Sequence, residues 1–212
     1  MRESERGRFL VTTVLERPVT ADHFAPGEFE DLLQIALDLD TPDGFKAEII
    51  EGAIVVSPFQ SPYYRRPMKR LREDLEAHCP AGHEADTSPF LFAFPKATRA
   101  YAPDLYVADV ESFEQLRGPV NGAALSLVAE FTSPSTRAAD VKDKLAVYGR
   151  HVPVYLLLDM QDEEATVFWE VSPNGYRAYR SVSFGQSLRI PEPFGFDLDT
   201  SGFGRPEEAP SR

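Results

Sequence analysis

The spacing of apolar and polar residues along the chain predicts an alternation of helices and strands. Within residues 26–39, apolar side chains recur with the period of an α-helix, so one face of the predicted helix is apolar. Residues 45–50 and 53–57 are short β-like runs, and the Glu51-Gly52 pair between them is typical of a hairpin turn. The first part of the chain therefore predicts a helix followed by a β-hairpin.

The rest of the chain predicts a second helix and then a strand–helix–strand unit. Residues 64–78 form the second predicted helix, because its apolar residues fall on one face. Residues 125–131, 138–150 and 152–158 follow the pattern of a strand, a helix and a strand, with the length of a right-handed βαβ crossover. Further strands are predicted at residues 89–94, 103–107, 166–171 and 176–184.

Together these elements predict an α/β fold in which a central mixed β-sheet is flanked by helices. We expect one domain over residues 26–203, preceded by an N-terminal extension at residues 1–25 and followed by a flexible tail at residues 204–212. Apolar residues make up 42% of the chain and aromatic residues 11%, which is enough for a packed core and argues against disorder.

Cysteine content and hydropathy indicate the compartment. The chain has one cysteine, Cys79, so it cannot form an internal disulfide, which fits a reducing environment. Its first residues carry charges throughout and contain no apolar stretch typical of a signal peptide. No segment approaches the roughly 20 apolar residues that a membrane span needs. We therefore expect a cytoplasmic protein without membrane contact.

The formal net charge of −12 restricts the partners of the protein. A chain with this balance repels phosphate on average and is not a general binder of polyanions. A role on nucleic acid would therefore need a local basic patch, or metal ions bound by acidic side chains.

Two acidic residues lie at the ends of predicted strands and suggest a metal site. Asp104 begins one strand, and Glu130 lies near the end of the next apolar run. If these strands are neighbours, both carboxylates can converge on one divalent cation, and such hard oxygen ligands suit Mg²⁺ or Mn²⁺. The same pattern also fits two ordinary solvated acids.

One face of the following helix adds a candidate catalytic lysine. Asp140, Lys144 and Tyr148 fall on roughly the same helical face, one element after Glu130. A lysine beside a metal-bound carboxylate pair can orient a water molecule or stabilise a charged transition state. Glu48 is a further acid beside the predicted hairpin turn. The alternative is that Asp140 and Lys144 form an ordinary surface ion pair.

These residues carry a resemblance to a known family. Pro-Asp at 103–104 and the segment EFTSPSTRAADVKDKLAVY at 130–148 resemble the PD-(D/E)XK nuclease superfamily. Within it, the chain is similar to the bacterial Uma-type restriction-endonuclease family, whose opening hairpin resembles FKAEIIEGAIVVSP at 45–58. The resemblance runs over residues 28–203 and implies a restriction-endonuclease-like core.

The resemblance also implies roles for individual residues. Asp104 and Glu130 would ligate Mg²⁺ or Mn²⁺, with the carbonyl oxygen of Phe131 as a possible further ligand. Lys144 would position water or stabilise charge, and Glu48 would orient the site or join a second metal. All four side chains, Asp104, Glu130, Lys144 and Glu48, are therefore candidate catalytic residues.

The chain departs from the family pattern at two places. Thr132 stands where the simplest superfamily motif has its lysine, and Lys144 on the following helix matches relatives in which the lysine has moved. A histidine common at the start of the second helix is replaced by Tyr63 or Tyr64. The second departure leaves open a nuclease fold without activity.

The start of the second predicted helix carries the densest basic cluster of the chain. Arg65, Arg66, Lys69 and Arg70 are weak candidates for contacts to a nucleic-acid backbone, with the adjacent tyrosines available to stack on bases. The alternative is a solvated helix face balanced by the acidic residues that follow it.

The sequence thus predicts a Mg²⁺-dependent endonuclease that acts on nucleic acid, preferably DNA, with a homodimer left open. Two alternatives remain. One is a catalytically inactive nuclease-fold protein that binds nucleic acid or protein. The other is a regulatory protein that binds its partner through a flat exposed face in place of a cleft.

Overall fold

The computed structural model of the chain describes residues 13–15, 27–42, 45–58, 62–87, 90–114, 118–134 and 136–205. Most of the predicted N-terminal extension and most of the predicted tail lie outside the described residues. Within the extension, Thr13–Leu15 forms a strand that pairs with residues 54–56.

The elements of the described residues alternate between strands and helices. The strands are β1 (Thr13–Leu15), β2 (Phe45–Ile50), β3 (Ala53–Pro58), β4 (His83–Asp86), β5 (Phe92–Phe94), β6 (Arg99–Tyr101), β7 (Leu105–Asp109), β8 (Val120–Asn121), β9 (Leu125–Thr132), β10 (Val154–Asp159), β11 (Glu164–Trp169), β12 (Ala178–Ser183), β13 (Ser187–Arg189) and β14 (Asp197–Asp199). The helices are α1 (Glu28–Asp38), α2 (Arg65–Glu76), α3 (Arg137–Ala139) and α4 (Leu145–His151), and a π-helical segment, Asp140–Lys144, joins α3 to α4. Within the described ranges, no helix is long and apolar enough to span a membrane.

Twelve of these strands form two six-stranded mixed sheets. The first, here called the hairpin sheet, has the order β1-β3-β2-β6-β5-β8, with β5 and β8 parallel. The second, here called the central sheet, has the order β12-β11-β10-β9-β7-β4, with β9 and β10 parallel. The predicted α/β fold with mixed sheet and flanking helices is confirmed. The strands divide between two sheets, however, where one central sheet was expected.

The predicted hairpin between β2 and β3 is confirmed. Glu51 and Gly52 form its turn with φ of 49° and 77°. Positive φ at both central residues is the requirement of a type I′ turn, and glycine meets it without steric cost. The turn pairs the two strands over their whole length, from Phe45 opposite Pro58 to Ile50 opposite Ala53.

The predicted βαβ unit is confirmed in the central sheet. β9 and β10 pair in parallel, with Leu127 opposite Val154, and the segment α3–π–α4 connects them. Every residue of both strands is buried. Parallel strands covered on both faces need such nearly continuous apolar sequences, which is why Glu130 within β9 stands out.

Side-chain alternation along β9 separates two cores. Phe131 points to the face covered by α2, where it shares a cluster with Leu71. Val128 points to the opposite face, where it shares an aromatic cluster with Tyr148 of α4. Glu130 has the same parity as Val128 and meets the Tyr148 hydroxyl, so its carboxylate lies under α4 and not under α2.

The strands β4 and β6 were not predicted from the sequence. β4 reads His-Glu-Ala-Asp and lies at the edge of the central sheet, where charged residues are tolerated because one side meets solvent. β6 has three residues, too few to show a period. Both strands depend on partners that are already in place, which local pattern cannot reveal.

Gly149 gives a test of the packing between α4 and the β11–β12 hairpin. A Cβ atom at this position would lie 2.8 Å from the main-chain nitrogen of Tyr176 and 2.9 Å from Cα of Gly175. An exposed Gly→Ala change in a helix stabilises by about 1 kcal/mol. For Gly149→Ala we expect the opposite sign, a loss of about 1–3 kcal/mol from overpacking, measured by urea unfolding. The exposed neighbour serves as the control: Arg150→Ala should change the unfolding free energy by less than about 0.5 kcal/mol.

Candidate active site

Asp104 and Glu130 lie side by side on adjacent antiparallel strands. Leu105 is opposite Ala129, so extending the register by one residue places Asp104 opposite Glu130, with both side chains on one face. The Asp104 Oδ2 atom accepts a hydrogen bond of 2.9 Å from the main-chain N–H of Phe131. Both carboxylates are buried. The structure thus brings the two predicted metal ligands together.

The ammonium group of Lys144 lies at the centre of three carboxylates. Its Nζ atom is 3.0 Å from Glu130 Oε1, 3.0 Å from Glu48 Oε1 and 3.2 Å from Asp140 Oδ1. The Tyr148 hydroxyl donates to the same Glu130 oxygen at 3.2 Å. Three of the predicted site residues therefore form one contact network.

The π-helical segment explains how two charged residues of one helix turn inward. Asp140 and Lys144 are each about 1% exposed, whereas Val141 between them is 37% exposed. A π turn accommodates an extra residue and is frequent at functional sites. The alternative interpretation of a solvated surface pair between Asp140 and Lys144 is wrong, because both side chains are buried.

Thr132, at the position of the lysine in the simplest motif, makes contacts of its own. Thr132 is fully buried, and its hydroxyl contacts Asp159 Oδ1 and Gln161 Oε1, each at 3.3 Å. The motif position is thus occupied by a polar contact between strand ends. The ammonium group reaches Glu130 from the neighbouring helix instead.

Lys46 is a site residue that the sequence analysis missed. Its Nζ donates to Asp104 Oδ1 at 3.0 Å and to the carbonyl oxygen of Ala102 at 2.7 Å. Glu48, two residues further along β2, accepts from the N–H of Ala102 at 3.0 Å. Residues i and i+2 of a strand share a face, so the alternation Lys46-Ala47-Glu48 was the available signal.

The site holds more negative than positive charge. Two ammonium groups, those of Lys46 and Lys144, face four buried carboxylates, those of Glu48, Asp104, Glu130 and Asp140. Two negative charges are therefore unbalanced when every group is ionised. One divalent cation or two protons would restore neutrality.

Burial and neighbouring charges shift the pKa values of these groups in different directions. Burial raises the pKa of Glu130 to about 8, even though Lys144 opposes that shift. Burial likewise raises the pKa of Asp140. Burial also acts to raise the pKa of Glu48, but Lys144, Lys46 and the Ala102 N–H outweigh it and hold that pKa below its ordinary value.

Both lysines remain protonated. Burial disfavours the charged form of Lys144, but Glu130, Glu48 and Asp140 outweigh it and hold its pKa well above the ordinary value. Asp104, together with Glu48, likewise overcomes burial and raises the pKa of Lys46. The site therefore carries two fixed positive charges.

The donor chemistry fits a hard divalent cation, although the present arrangement does not enclose one. The carboxylate oxygens are of the type that Mg²⁺ and Mn²⁺ prefer, and the buried Asp140 Oδ1 forms no hydrogen bond within the described residues beside its ion pair with Lys144. Among those residues, however, no three acidic, histidine or cysteine side chains meet as a metal-holding group. Asp104 and Glu130 fit as ligands by charge and position. A role for the carbonyl oxygen of Phe131 stays a prediction.

A pocket opens beside the carboxylates, between the hairpin sheet and the π-helical segment. Its empty volume, including the open mouth, is about 330 Å³. Glu48 and Lys144 belong both to its wall and to the carboxylate network. The charged cluster is therefore next to a space that a ligand can enter.

The basic cluster of α2 lies apart from this pocket. Arg65, Arg66 and Lys69 are exposed, and Lys69 pairs with Glu73 at 3.5 Å. Arg70 is bound by Asp199 at 2.6 Å and by the carbonyl oxygen of Ser201 at 2.8 Å. Arg70 is thus engaged within the protein, while the others face solvent.

Tyr64 is not available to stack on a base. It is 2% exposed, and its hydroxyl donates to the carbonyl oxygen of Thr132 at 3.0 Å. Its ring packs edge-on against Tyr63 and is tilted against Phe131. The tyrosine at this position connects α2 to the end of β9, and the expectation that both tyrosines are free is wrong.

Comparisons with known proteins find a family and a solved structure that are described as nucleases. A family profile described as "Uma2: Putative restriction endonuclease" matches residues 29–201. A solved structure from Anabaena variabilis ATCC 29413, described as "a putative nuclease belonging to DUF820", is similar with a TM-score of 0.62 and 14% sequence identity. The similarity covers 81% of this chain and 96% of that one, and it shows a shared fold. No curated protein matches the chain.

The raised pKa of Glu130 predicts how stability changes with pH. Between its ordinary value of 4.5 and about 8, folded protein keeps a proton on Glu130 that the unfolded chain has released. The stability contributed by that proton is complete at low pH and is lost as pH rises through this window. Glu130→Gln cannot titrate, so without metal its stability relative to wild type should rise from pH 5 to pH 8, by at most about 1.4 kcal/mol per pH unit.

Urea unfolding in a chelating buffer at several pH values measures this difference. Glu84→Gln, at an exposed position of β4, is the matched control and should follow the wild-type profile. If the difference in unfolding free energy between Glu130→Gln and wild type stays constant from pH 5 to pH 8, Glu130 does not carry a proton in the folded protein.

Proposed function

We propose that this chain, which belongs to the Uma2 family described as "Putative restriction endonuclease", is a metal-dependent nuclease. It would hydrolyse phosphodiester bonds. The observation that carries the proposal is the network of Asp104, Glu130, Glu48 and Lys144 beside an open pocket. Nucleic acid, and DNA in the first place, is the proposed substrate.

Asp104 and Glu130 would hold the metal in this proposal. Their adjacent carboxylates supply hard oxygen ligands for Mg²⁺ or Mn²⁺ on one face of β7 and β9. When bound, such an ion lowers the pKa of a water molecule and neutralises charge on the phosphate. It would also balance the two surplus negative charges of the site.

Lys144 would stabilise negative charge that develops on the scissile phosphate. Its carboxylate neighbours keep it protonated and hold its ammonium group in place, so no reorganisation is needed during the reaction. Glu48 would orient Lys144, since it contacts Nζ and is itself fixed by the Ala102 N–H. Tyr148 would keep Glu130 in position through its hydroxyl.

One observation favours a second candidate, a nuclease fold that binds nucleic acid without cleaving it. Lys46 contacts one oxygen of Asp104, and the Phe131 N–H contacts the other. A metal ion at Asp104 would have to compete with an ammonium group already in place. The net charge of −12 also limits general binding of polyanions.

Cleavage assays on the site variants distinguish the two candidates. Glu130→Gln keeps the size of the side chain but removes the charge that a hard cation needs, so metal-dependent cleavage should be abolished. Lys144→Ala should lower the rate by about a hundredfold or more, because one charge-stabilising group is lost. Initial rates would be measured on single- and double-stranded DNA and RNA with Mg²⁺ and with Mn²⁺.

The control for these assays is Glu84→Gln, which should cleave at the wild-type rate, with circular dichroism to confirm folding of each variant. Absence of cleavage by the wild type with either metal, together with nucleic-acid binding that Glu130→Gln leaves unchanged, would replace the enzyme by the binding-only candidate.

The exposed part of the basic cluster should act through the nucleic-acid backbone. If Arg65 and Arg66 contact two phosphates, the double variant Arg65→Ala/Arg66→Ala should reduce the slope of log K against log salt by about 1.8. The charge-matched control is Arg177→Ala/Arg180→Ala, at exposed positions just before and within the edge strand β12 of the central sheet. Equal slopes for the two double variants would assign the α2 cluster to solvation alone.

A further inference from the structure

The pocket beside Lys144 has apolar walls and a buried hydroxyl group without a partner among the described residues. Its apolar lining comes from Ile50 and Val55 of the hairpin sheet and from Ala139 of α3. Ser57 and Asp140 also line it. A charged cluster alone would not need apolar walls of this kind.

One buried polar atom of this pocket, Ser57 Oγ, has neither a hydrogen-bond partner nor an ion pair among the described residues, and its side chain is 5% exposed. Asp140 Oδ1 forms no hydrogen bond there either, but it is 3.2 Å from Lys144 Nζ, so a ligand would share this oxygen with the ammonium group. Buried polar groups are rarely left unpaired, so Ser57 Oγ in the pocket wall indicates a ligand that supplies the missing partner.

The composition of the pocket selects the chemistry of that ligand. Asp140 and Glu48 outnumber Lys144 in the lining, and Lys144 is already paired with both, so this wall does not favour an anion such as a phosphate group. Walls formed by Ile50, Val55 and Ala139 favour a ligand with apolar surface, and Ser57 Oγ favours a hydrogen-bonding group on that ligand. A nucleobase combines these properties, because its faces are apolar and its edges carry donors and acceptors.

We propose that this pocket binds one unpaired nucleobase of the substrate, with Ser57 and Asp140 as its hydrogen-bond partners. The proposal rests on the proposed function and specifies its substrate class. Lys144 and Glu48 line the pocket and also belong to the candidate active site, so the base belongs to a nucleotide next to the scissile phosphate. A base inside a duplex cannot enter such a pocket. The substrate is therefore single-stranded nucleic acid, or a duplex with a base outside the stack.

Fluorescence of 2-aminopurine tests the pocket without any cleavage. A single-stranded DNA oligonucleotide that carries this base is titrated with the protein in EDTA, and a duplex of the same sequence is titrated in parallel. With wild type, the single strand should show increased fluorescence as the base leaves its stacked neighbours. The paired duplex should show little change.

Two variants probe the pocket. Val55→Phe fills it from a half-buried wall position and should weaken single-strand binding by about tenfold or more, with loss of the fluorescence change. Ser57→Ala removes one hydrogen-bonding group and should weaken binding by about three- to tenfold. The control Val171→Phe adds the same ring at an exposed position and should bind as wild type does. Circular dichroism and thermal unfolding confirm that each variant is folded.

The outcomes separate this inference from the proposed function. Equal fluorescence changes for wild type and Val55→Phe, or equal affinity for single strand and duplex, would overturn the pocket assignment. If the wild type still cleaves nucleic acid in that case, the proposed nuclease activity stands. A fluorescence change that depends on Val55 and Ser57, in a protein that cleaves nothing, would support the base pocket and overturn the nuclease activity.

Discussion

The ammonium group of Lys144 holds together three elements that are distant in sequence. It contacts Glu48 of the hairpin sheet, Glu130 of the central sheet and Asp140 of its own π-helical segment, each within 3.2 Å. An isolated charge at this depth would be strongly destabilising, so each partner requires the others. The two sheets and the helix therefore keep one relative position at the site, and the pocket between them has defined walls.

The same cluster carries an excess of negative charge, and this excess has a direct consequence. Burial favours uncharged carboxyl groups, and two ammonium groups cannot balance four carboxylates. The excess is unfavourable for the isolated protein but supplies the ligands and the charge that a divalent cation requires. Stability and the proposed chemistry thus make opposite demands on Glu130, which is common for residues that serve a site more than a core.

The behaviour of Lys46 towards a metal ion distinguishes the two candidate functions. Its ion pair with Asp104 secures a carboxylate that would otherwise be buried beside Glu130 without compensation. If Lys46 yields to a metal ion, it becomes a second positive charge close to the substrate phosphate. If it does not, the pair replaces the metal and leaves a fold that binds without cleaving. The roles proposed for the basic residues of α2 and for the pocket beside Lys144 are compatible with either outcome, since both proposals concern substrate binding.

Sequence alone determined the longer elements and the family, and it proposed the candidate site residues that the structure brings together. Apolar periodicity encodes which face of a helix or strand is buried, so α1, α2, the β2–β3 hairpin and the βαβ unit were predicted correctly. The motifs around Asp104 and Glu130 indicated the Uma-type family, which the match over residues 29–201 confirms.

Periodicity does not encode which buried faces meet, and only the tertiary structure decided the division into two sheets and the burial of Tyr64. It also decided the pairing of Lys46 with Asp104, which are 58 positions apart, and the pocket that contains Ser57 and Asp140. The physical reason is that charge pairing and cavity shape depend on distances between elements, and those distances are fixed only when the cores on both faces of the central sheet are packed.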